Sequence, residues 1–133
     1  MMLELQLDSP CVMVIDDVPE TRMLLRDMLE EMGFLSVIEA SNGRDALEKL
    51  KSKPAHLILC DHVMEEMSGL DLLSQLRNHP YLVDIPFIVV SAVGDVPVIE
   101  TALDLGADDY LTKPVSFQLL RRKVSDVFRR RCA

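Results

Sequence analysis

The sequence predicts an α/β protein, a single doubly wound domain whose parallel sheet is covered by helices on both faces. Three observations carry this. Five short apolar runs alternate along the chain with five segments of helical spacing. Most of the runs are continuously apolar rather than alternating, as strands are when both faces of their sheet are covered. Regular βα alternation in turn implies parallel strands joined by right-handed crossovers.

The first run, CVMVI, occupies residues 11–15. After it, Leu25, Met28, Leu29 and Met32 fall at i, i+3, i+4 and i+7, and Gly33 is a natural helix stop. The second run, FLSVIEA (34–40), precedes a helix that opens after Asn42-Gly43 and buries Ala46, Leu47 and Leu50. The third, HLILC (56–60), leads to a helix with Leu72, Leu73 and Leu76 on one face and a break near Pro80. The fourth, PFIVVSA (86–92), is followed by a helix whose apolar face is Val98, Ile99, Ala102 and Leu103, ending before Gly106. The fifth, DDYLT (108–112), precedes a helix after Pro114 that spaces Phe117, Leu120, Val124 and Val127 along one stripe. The eight methionines mostly belong to these stripes and read as core filler.

At 133 residues the chain suits one domain and can bury a core without metal or disulfide staples. No stretch approaches a membrane span, and MMLELQLDSP lacks the basic and apolar regions of a secretory leader, so no membrane partner is expected. Cys11, Cys60 and Cys132 are odd in number and far apart, which suits neither a disulfide framework nor a zinc site. Cys11 and Cys60 read as small core residues, and a reduced, cytoplasmic setting is expected. A net charge of −8 argues against direct DNA binding by this domain. The locally basic RRKVSDVFRRRC is expected to be a solvated helix face, with cations near a helix C-terminus.

In doubly wound sheets ligands bind beyond the carboxyl ends of the strands, where the strand order reverses. Here the first strand ends in Asp16-Asp17, the third in Asp61, the fourth in Ser91 and the fifth in Thr112-Lys113-Pro114. Each has a simpler reading alone. Asp17 before Pro19 suits a helix N-cap, Asp61 and Ser91 suit a cap or turn, and Lys113 suits a surface loop. Together, three carboxylates repel one another unless a cation balances them. An oxygen-only site with room for water suits Mg²⁺, and a lysine alongside favours an anionic ligand such as a phosphoryl group. Mg²⁺, a lysine and a carboxylate nucleophile are parts that phosphoryl transfer needs.

The order VIDD, CDHVMEEMSG, VVSA, GADDYLTKP resembles the receiver domain of two-component response regulators, of the chemotaxis CheY type, over residues 10–130. The resemblance implies a flavodoxin-like five-stranded sheet in the order 2-1-3-4-5. It implies that Asp61 is the phospho-acceptor, taking a phosphoryl group from a sensor histidine kinase or a histidine phosphotransfer protein. Mg²⁺ would be held by Asp16, Asp17, a carboxylate oxygen of Asp61 and the backbone carbonyl of Val63. Lys113 would pair with the phosphoryl group, and the Ser91 hydroxyl would bond to it after transfer. Tyr110 matches the aromatic switch residue that turns inward as the Ser91 loop closes, and Lys113-Pro114 matches the family's cis peptide. The implied activity is not that of an enzyme with a separate substrate. The protein would catalyse its own phosphorylation and slow dephosphorylation, and would signal to a downstream target through its fourth helix, fifth strand and fifth helix, or to an output domain of a longer chain.

The chain departs from the family pattern in places. Glu65 stands where a proline is usual, removing a constraint on φ and adding a charge near the acids. Val63 and Val93 occupy positions flanking the path of hydrolytic water, and neither can hydrogen-bond to it, so slow self-dephosphorylation is expected. His62 is expected to point away from the site, with His56 and His79 as surface or turn residues. Other classes fit less well. A phosphorylation-independent interaction scaffold has only Glu65 to encourage it. A haloacid-dehalogenase-type phosphatase wants a second Asp where Val63 stands, a flavodoxin wants a Ser/Thr/Gly-rich loop where DDVPETR is acidic, and the GxGxxG of a Rossmann enzyme is absent.

Overall fold

Five strands and five helices alternate: β1 (Cys11–Ile15), α1 (Pro19–Glu31), β2 (Ser36–Ala40), α2 (Gly43–Ser52), β3 (Leu57–Asp61), α3 (Gly69–Arg77), β4 (Phe87–Ala92), α4 (Val96–Asp104), β5 (Asp109–Lys113) and α5 (Phe117–Arg131). The computed structural model describes residues 10–131 apart from Glu65 and Val93, so the expectations placed on those two and on Cys132 lie outside the described residues. All strand pairs are parallel and the order is β2-β1-β3-β4-β5, the order implied by the family resemblance. Successive strands step outward from β1 in one direction to β2 and in the other to β3, so the order reverses between β1 and β3.

The inner strands β1, β3 and β4 are almost wholly apolar because each serves two cores, whereas the edge strands β2 and β5 carry polar residues. Cys11, Met13 and Ile15 of β1 face one side, with Ile58 and Cys60 of β3, and meet Ala46 and Leu50 of α2 and Leu72, Leu73 and Leu76 of α3. Val12, Val14, Leu57 and Leu59 face the other side and meet Leu25 and Leu29 of α1 and Leu120, Val124 and Val127 of α5. Truncating one such fully buried leucine, Leu29 for example, costs about 3 kcal/mol through lost transfer energy and the cavity left behind.

Helix boundaries follow local chemistry. Asn42 caps α2 by accepting from the Asp45 amide at 2.8 Å, and Ser68 and Asp71 form a reciprocal capping box on α3. Gly33, at φ 106°, adopts the left-handed backbone that ends α1. Two expectations need correction. β5 is shifted by one residue, so Asp108 precedes the strand instead of running within it; its amide donates to the Phe87 carbonyl at 2.8 Å and its carboxylate Oδ2 accepts from the Phe87 amide at 2.8 Å. In α4 the expected apolar face is shallow: Ala102 is buried, Val98 and Ile99 are half-buried, and Leu103 is 43 % exposed. The fourth helix covers the sheet through one small residue, and its larger side chains lie toward solvent.

Candidate functional site

The register of the sheet assembles the site. Ile15 of β1 lies opposite Cys60 of β3, which sets the next residues, Asp16 and Asp61, side by side beyond the sheet. Asp61 pairs with Val90, so Ser91 stands one residue further along β4, and Ala92 pairs with Lys113. Carboxylate oxygens of Asp16, Asp17 and Asp61 all lie within 4.8 Å of one another. Asp16 is 1 % and Asp61 6 % exposed, whereas Asp17 is open to solvent. The Lys113 ammonium bridges the two buried acids, 3.2 Å from Asp61 Oδ2 and 3.3 Å from Asp16 Oδ2.

The helix-capping readings of these residues do not survive, although Asp16 and Asp61 each make the local turn bond expected of an aspartate. Val18, not Asp17, is the N-cap of α1 and has no capping side chain, with Pro19 in the first turn. Ser68 and Asp95 are the N-caps of α3 and α4, so neither Asp61 nor Ser91 caps a helix. Asp16 Oδ1 accepts from the Val18 amide at 2.9 Å and Asp61 Oδ1 from the Val63 amide at 3.3 Å. Gly69 is required beneath the loop that follows Asp61, because a Cβ there would lie 2.5 Å from the Asp61 carbonyl oxygen. The Lys113-Pro114 peptide is cis.

The electrostatics follow from burial and like charge. Burial lifts the pKa of Asp16 above its ordinary value, and the Asp61 charge adds to this against the opposing pull of the Val18 amide and Lys113. Burial also works against the Lys113 ammonium, but the hydrogen bond and charge of Asp61, with those of Asp16, overcome it and raise its pKa. Three carboxylates against one ammonium leave an excess of negative charge in a partly buried, all-oxygen donor set. A hard divalent cation fits that set, because it supplies the missing charge and accepts carboxylate, carbonyl and water oxygens.

Of the residues picked from sequence, Asp16, Asp17, Asp61 and Lys113 are brought together directly. Ser91 is buried at the end of β4, its hydroxyl donating to the Ala92 carbonyl at 3.2 Å. Tyr110 is half-buried on β5, with the Lys123 ammonium 3.9 Å above its ring and donating to its carbonyl. Among the described residues neither Ser91 nor Tyr110 bonds to the acids. The Val63 side chain is 68 % exposed. Cys60, buried behind Asp61, donates to the Asp61 carbonyl at 3.2 Å, and burial followed by the charges of Asp61 and Asp16 pushes its thiol pKa well up.

Two histidines differ from expectation. His56 is half-buried, and its Nδ1 accepts from the Cys11 amide at 2.8 Å, tying the start of β1 to β3. His62 is half-buried with its Nδ1 shielded and, among the described residues, without a hydrogen-bond partner, whereas a loop side chain pointing away would leave that nitrogen in water. Sequence reasoning also missed Arg22, whose guanidinium donates to the Asp16 carbonyl oxygen at 2.6 Å. Attention to strand ends cannot find a residue one turn into the following helix.

Comparison with known proteins identifies the family. The response regulator receiver domain model matches residues 12–125. The chain is 32% identical over 117 residues to chemotaxis protein CheY1 of Helicobacter pylori, covering 87% of this chain and 94% of that one. It is 37% identical over 119 residues to response regulator RR06 of Streptococcus pneumoniae, covering 90% of this chain but 53% of that one. A crystal structure of a two-component response regulator from Clostridium difficile superposes with a TM-score of 0.85 at 28% identity, covering 94% of this chain and all of the other. Fold, strand order, acidic pocket and sequence thus agree, and the chain belongs to the response regulator receiver domain family of two-component signalling, in its CheY-like form.

Proposed function

We propose that this receiver domain accepts a phosphoryl group on Asp61 in a Mg²⁺-dependent step. The observation that carries the reading is the Lys113 ammonium held between Asp16 and Asp61, with Asp17 completing the acidic cluster. A carboxylate oxygen of Asp61 attacks the phosphorus of a phosphohistidine. The new O–P bond forms as the P–N bond breaks, and the departing imidazole takes up a proton. Lys113 balances charge on the phosphoryl oxygens, and the Ser91 hydroxyl turns from the Ala92 carbonyl to donate to one of them. Asp16, Asp17, Asp61 and the Val63 carbonyl would hold Mg²⁺, whose contribution is to neutralise charge on the phosphoryl group. The chain's own part is to position these groups in a buried setting where electrostatic contacts are strong.

The donor in this reading is a sensor histidine kinase or a histidine phosphotransfer protein, and the setting is cytoplasmic. No helix among the described residues is long and apolar enough to cross a membrane. The output is a changed affinity for a protein target as Ser91 and Tyr110 rearrange, a two-state switch biased by new phosphoryl contacts. The protein is a phospho-acceptor and not an enzyme with a separate substrate. Its exposed Val63 offers no hydrogen bond to incoming water, which supports slow dephosphorylation.

The test is incubation with a small-molecule phosphodonor, with and without Mg²⁺, followed by intact mass, with Asp61→Asn as control. One phosphoryl group gained only with both Mg²⁺ and Asp61 is expected. No gain by the folded wild-type protein would return the phosphorylation-independent scaffold. A half-life of seconds for the product would remove the role given to Val63.

A further inference from the structure

We infer that Arg22 is a positioning residue for the cation site, acting through Asp16, and that Glu39 holds it there. The inference rests on the reading of Asp16 and Asp17 as metal ligands and adds what keeps them in place.

Asp16 lies just past the end of β1, where the sheet no longer fixes its backbone. Two groups replace the sheet. The Asp16 amide donates to the Ala40 carbonyl at 3.2 Å, which fixes the peptide before Asp16. Arg22 Nη1 donates to the Asp16 carbonyl at 2.6 Å, which fixes the peptide between Asp16 and Asp17. With both flanking peptides held and Oδ1 bonded to the Val18 amide, the backbone and side chain of Asp16 have one orientation, and the direction in which Asp17 leaves is set as well.

Arg22 is itself held. Its Nε donates to Glu39 Oε1 at 3.0 Å, Arg26 Nη1 donates to Glu39 Oε2 at 2.8 Å, and Lys49 donates to the Glu39 carbonyl at 2.7 Å. Glu39 immediately precedes Ala40, so one end of β2 grips both peptides of Asp16, one directly and one through Arg22. The Arg22 side chain is 17 % exposed, which removes most of the water that would otherwise compete for this bond. The two arginines overcome partial burial of the Glu39 carboxylate and hold its pKa below the ordinary value. Groups of this kind, which orient the residues that bind a metal without touching it, typically set metal affinity by an order of magnitude or more.

Coulomb's law supplies a test of opposite sign. Arg22 is a cation beside a cation site. If its effect were charge alone, removing it would tighten Mg²⁺ binding. If it positions Asp16 and Asp17, removing it weakens binding. The experiment titrates MgCl₂ at constant ionic strength and follows the backbone amides of Asp17 and Val18 by ¹H–¹⁵N NMR, since the Val18 amide reports on Asp16 Oδ1. Arg22→Gln is expected to bind Mg²⁺ at least about tenfold more weakly than wild type. Arg22→Lys keeps the charge but lacks the planar fork that reaches two acceptors, so it is expected to fall between the two. Arg26→Gln removes the same charge from the same carboxylate without touching Asp16, and should stay within about twofold of wild type. A melt of each variant checks folding. If Arg22→Gln does not fold, Arg22→Lys carries the decision. Binding that is unchanged or tighter in the Arg22 variant overturns the inference, as does an equal loss in Arg26→Gln. If wild type itself shows no Mg²⁺ response, the metal reading fails first, and this is distinguishable because no variant is needed to see it.

Discussion

The two ends of the sheet both carry acids, and they treat them in opposite ways. At the amino end, Asp108 is fully answered. Its carboxylate accepts from the Phe87 amide at 2.8 Å, pairs with Arg131 Nε at 3.1 Å and lies 3.5 Å from Arg77 Nη2. Arg77 in turn donates to the carbonyls of Gly106, Val83 and Ile85. At the carboxyl end, carboxylate oxygens of Asp16, Asp17 and Asp61 lie within 4.8 Å of one another, and among the described residues one ammonium, that of Lys113, pairs with Asp16 and Asp61. The same residue type is a clasp where its charge is matched and a candidate cation site where it is not. Charge balance, more than burial, separates the end that holds the fold from the end that carries the acidic cluster.

The comparison breaks most directly at Arg77. Arg77→Ala leaves Asp108 short of a partner and several carbonyls unfilled, and should cost about 3 kcal/mol in urea unfolding, with metal affinity nearly unchanged. A smaller effect, of opposite sign at the two ends, sharpens it. Asp16→Asn keeps the Oδ1 acceptor for Val18 but removes a charge whose pKa the fold raises, so metal-free stability at neutral pH should rise by about 1 kcal/mol. The sign follows from linkage: a carboxylate with a raised folded pKa takes up protons more readily in the fold, so its ionised form disfavours folding. Asp108→Asn should lower stability by about 1 kcal/mol. A loss in Asp16→Asn matching that in Asp108→Asn would erase the distinction between the ends.

Smaller again is the expected effect of Lys123→Met. Lys123 spans the middle of β5, pairing with Asp109 Oδ1 at 3.1 Å while covering the Tyr110 ring. Its loss should cost about 1 kcal/mol and broaden or split the Tyr110 ring resonances in NMR spectra as the ring gains alternative positions. The smallest effect is in the acid limb of the stability curve. Glu39 has a lowered folded pKa, so its contribution is complete above the ordinary value of 4.5 and is lost as pH falls below it through the folded value. Glu39→Gln should flatten that part of the curve and leave the neutral region little changed in slope.

Much of this architecture was legible in the chain because its signals are local. Apolar runs located every strand to within about two residues, as boundary uncertainty allows. Asn42-Gly43 and Gly33 marked helix ends with their own side chains or backbone freedom. Asp16, Asp17, Asp61 and Lys113 could be joined across the sequence because a single rule, polar residues at carboxyl ends of parallel strands, applies to each separately. What stayed hidden depends on distant pairs. Arg77 and Asp108 stand 31 residues apart and His56 and Cys11 45 apart, and no periodicity links them. The basic end of α5 was read as a solvated face, yet Arg131 reaches Asp108. Leu103 fits the helical stripe of α4, but periodicity reports which side chains share a face and not whether anything covers it.

The thiol of Cys60 has a consequence for chemical selectivity. A thiolate is a strong nucleophile, and a thiol that could form one stands next in sequence to Asp61, the proposed acceptor. Burial and the neighbouring acids keep this sulfur protonated, and its side chain belongs to the core on the α2 and α3 side of the sheet. On the proposed function, an activated phosphoryl donor would meet carboxylate oxygen at this strand end rather than ionised sulfur, and attack there by oxidants and alkylating agents that seek thiolates is disfavoured. Burial, reinforced by the same negative charge that would favour a cation at the carboxylates, silences this neighbouring sulfur.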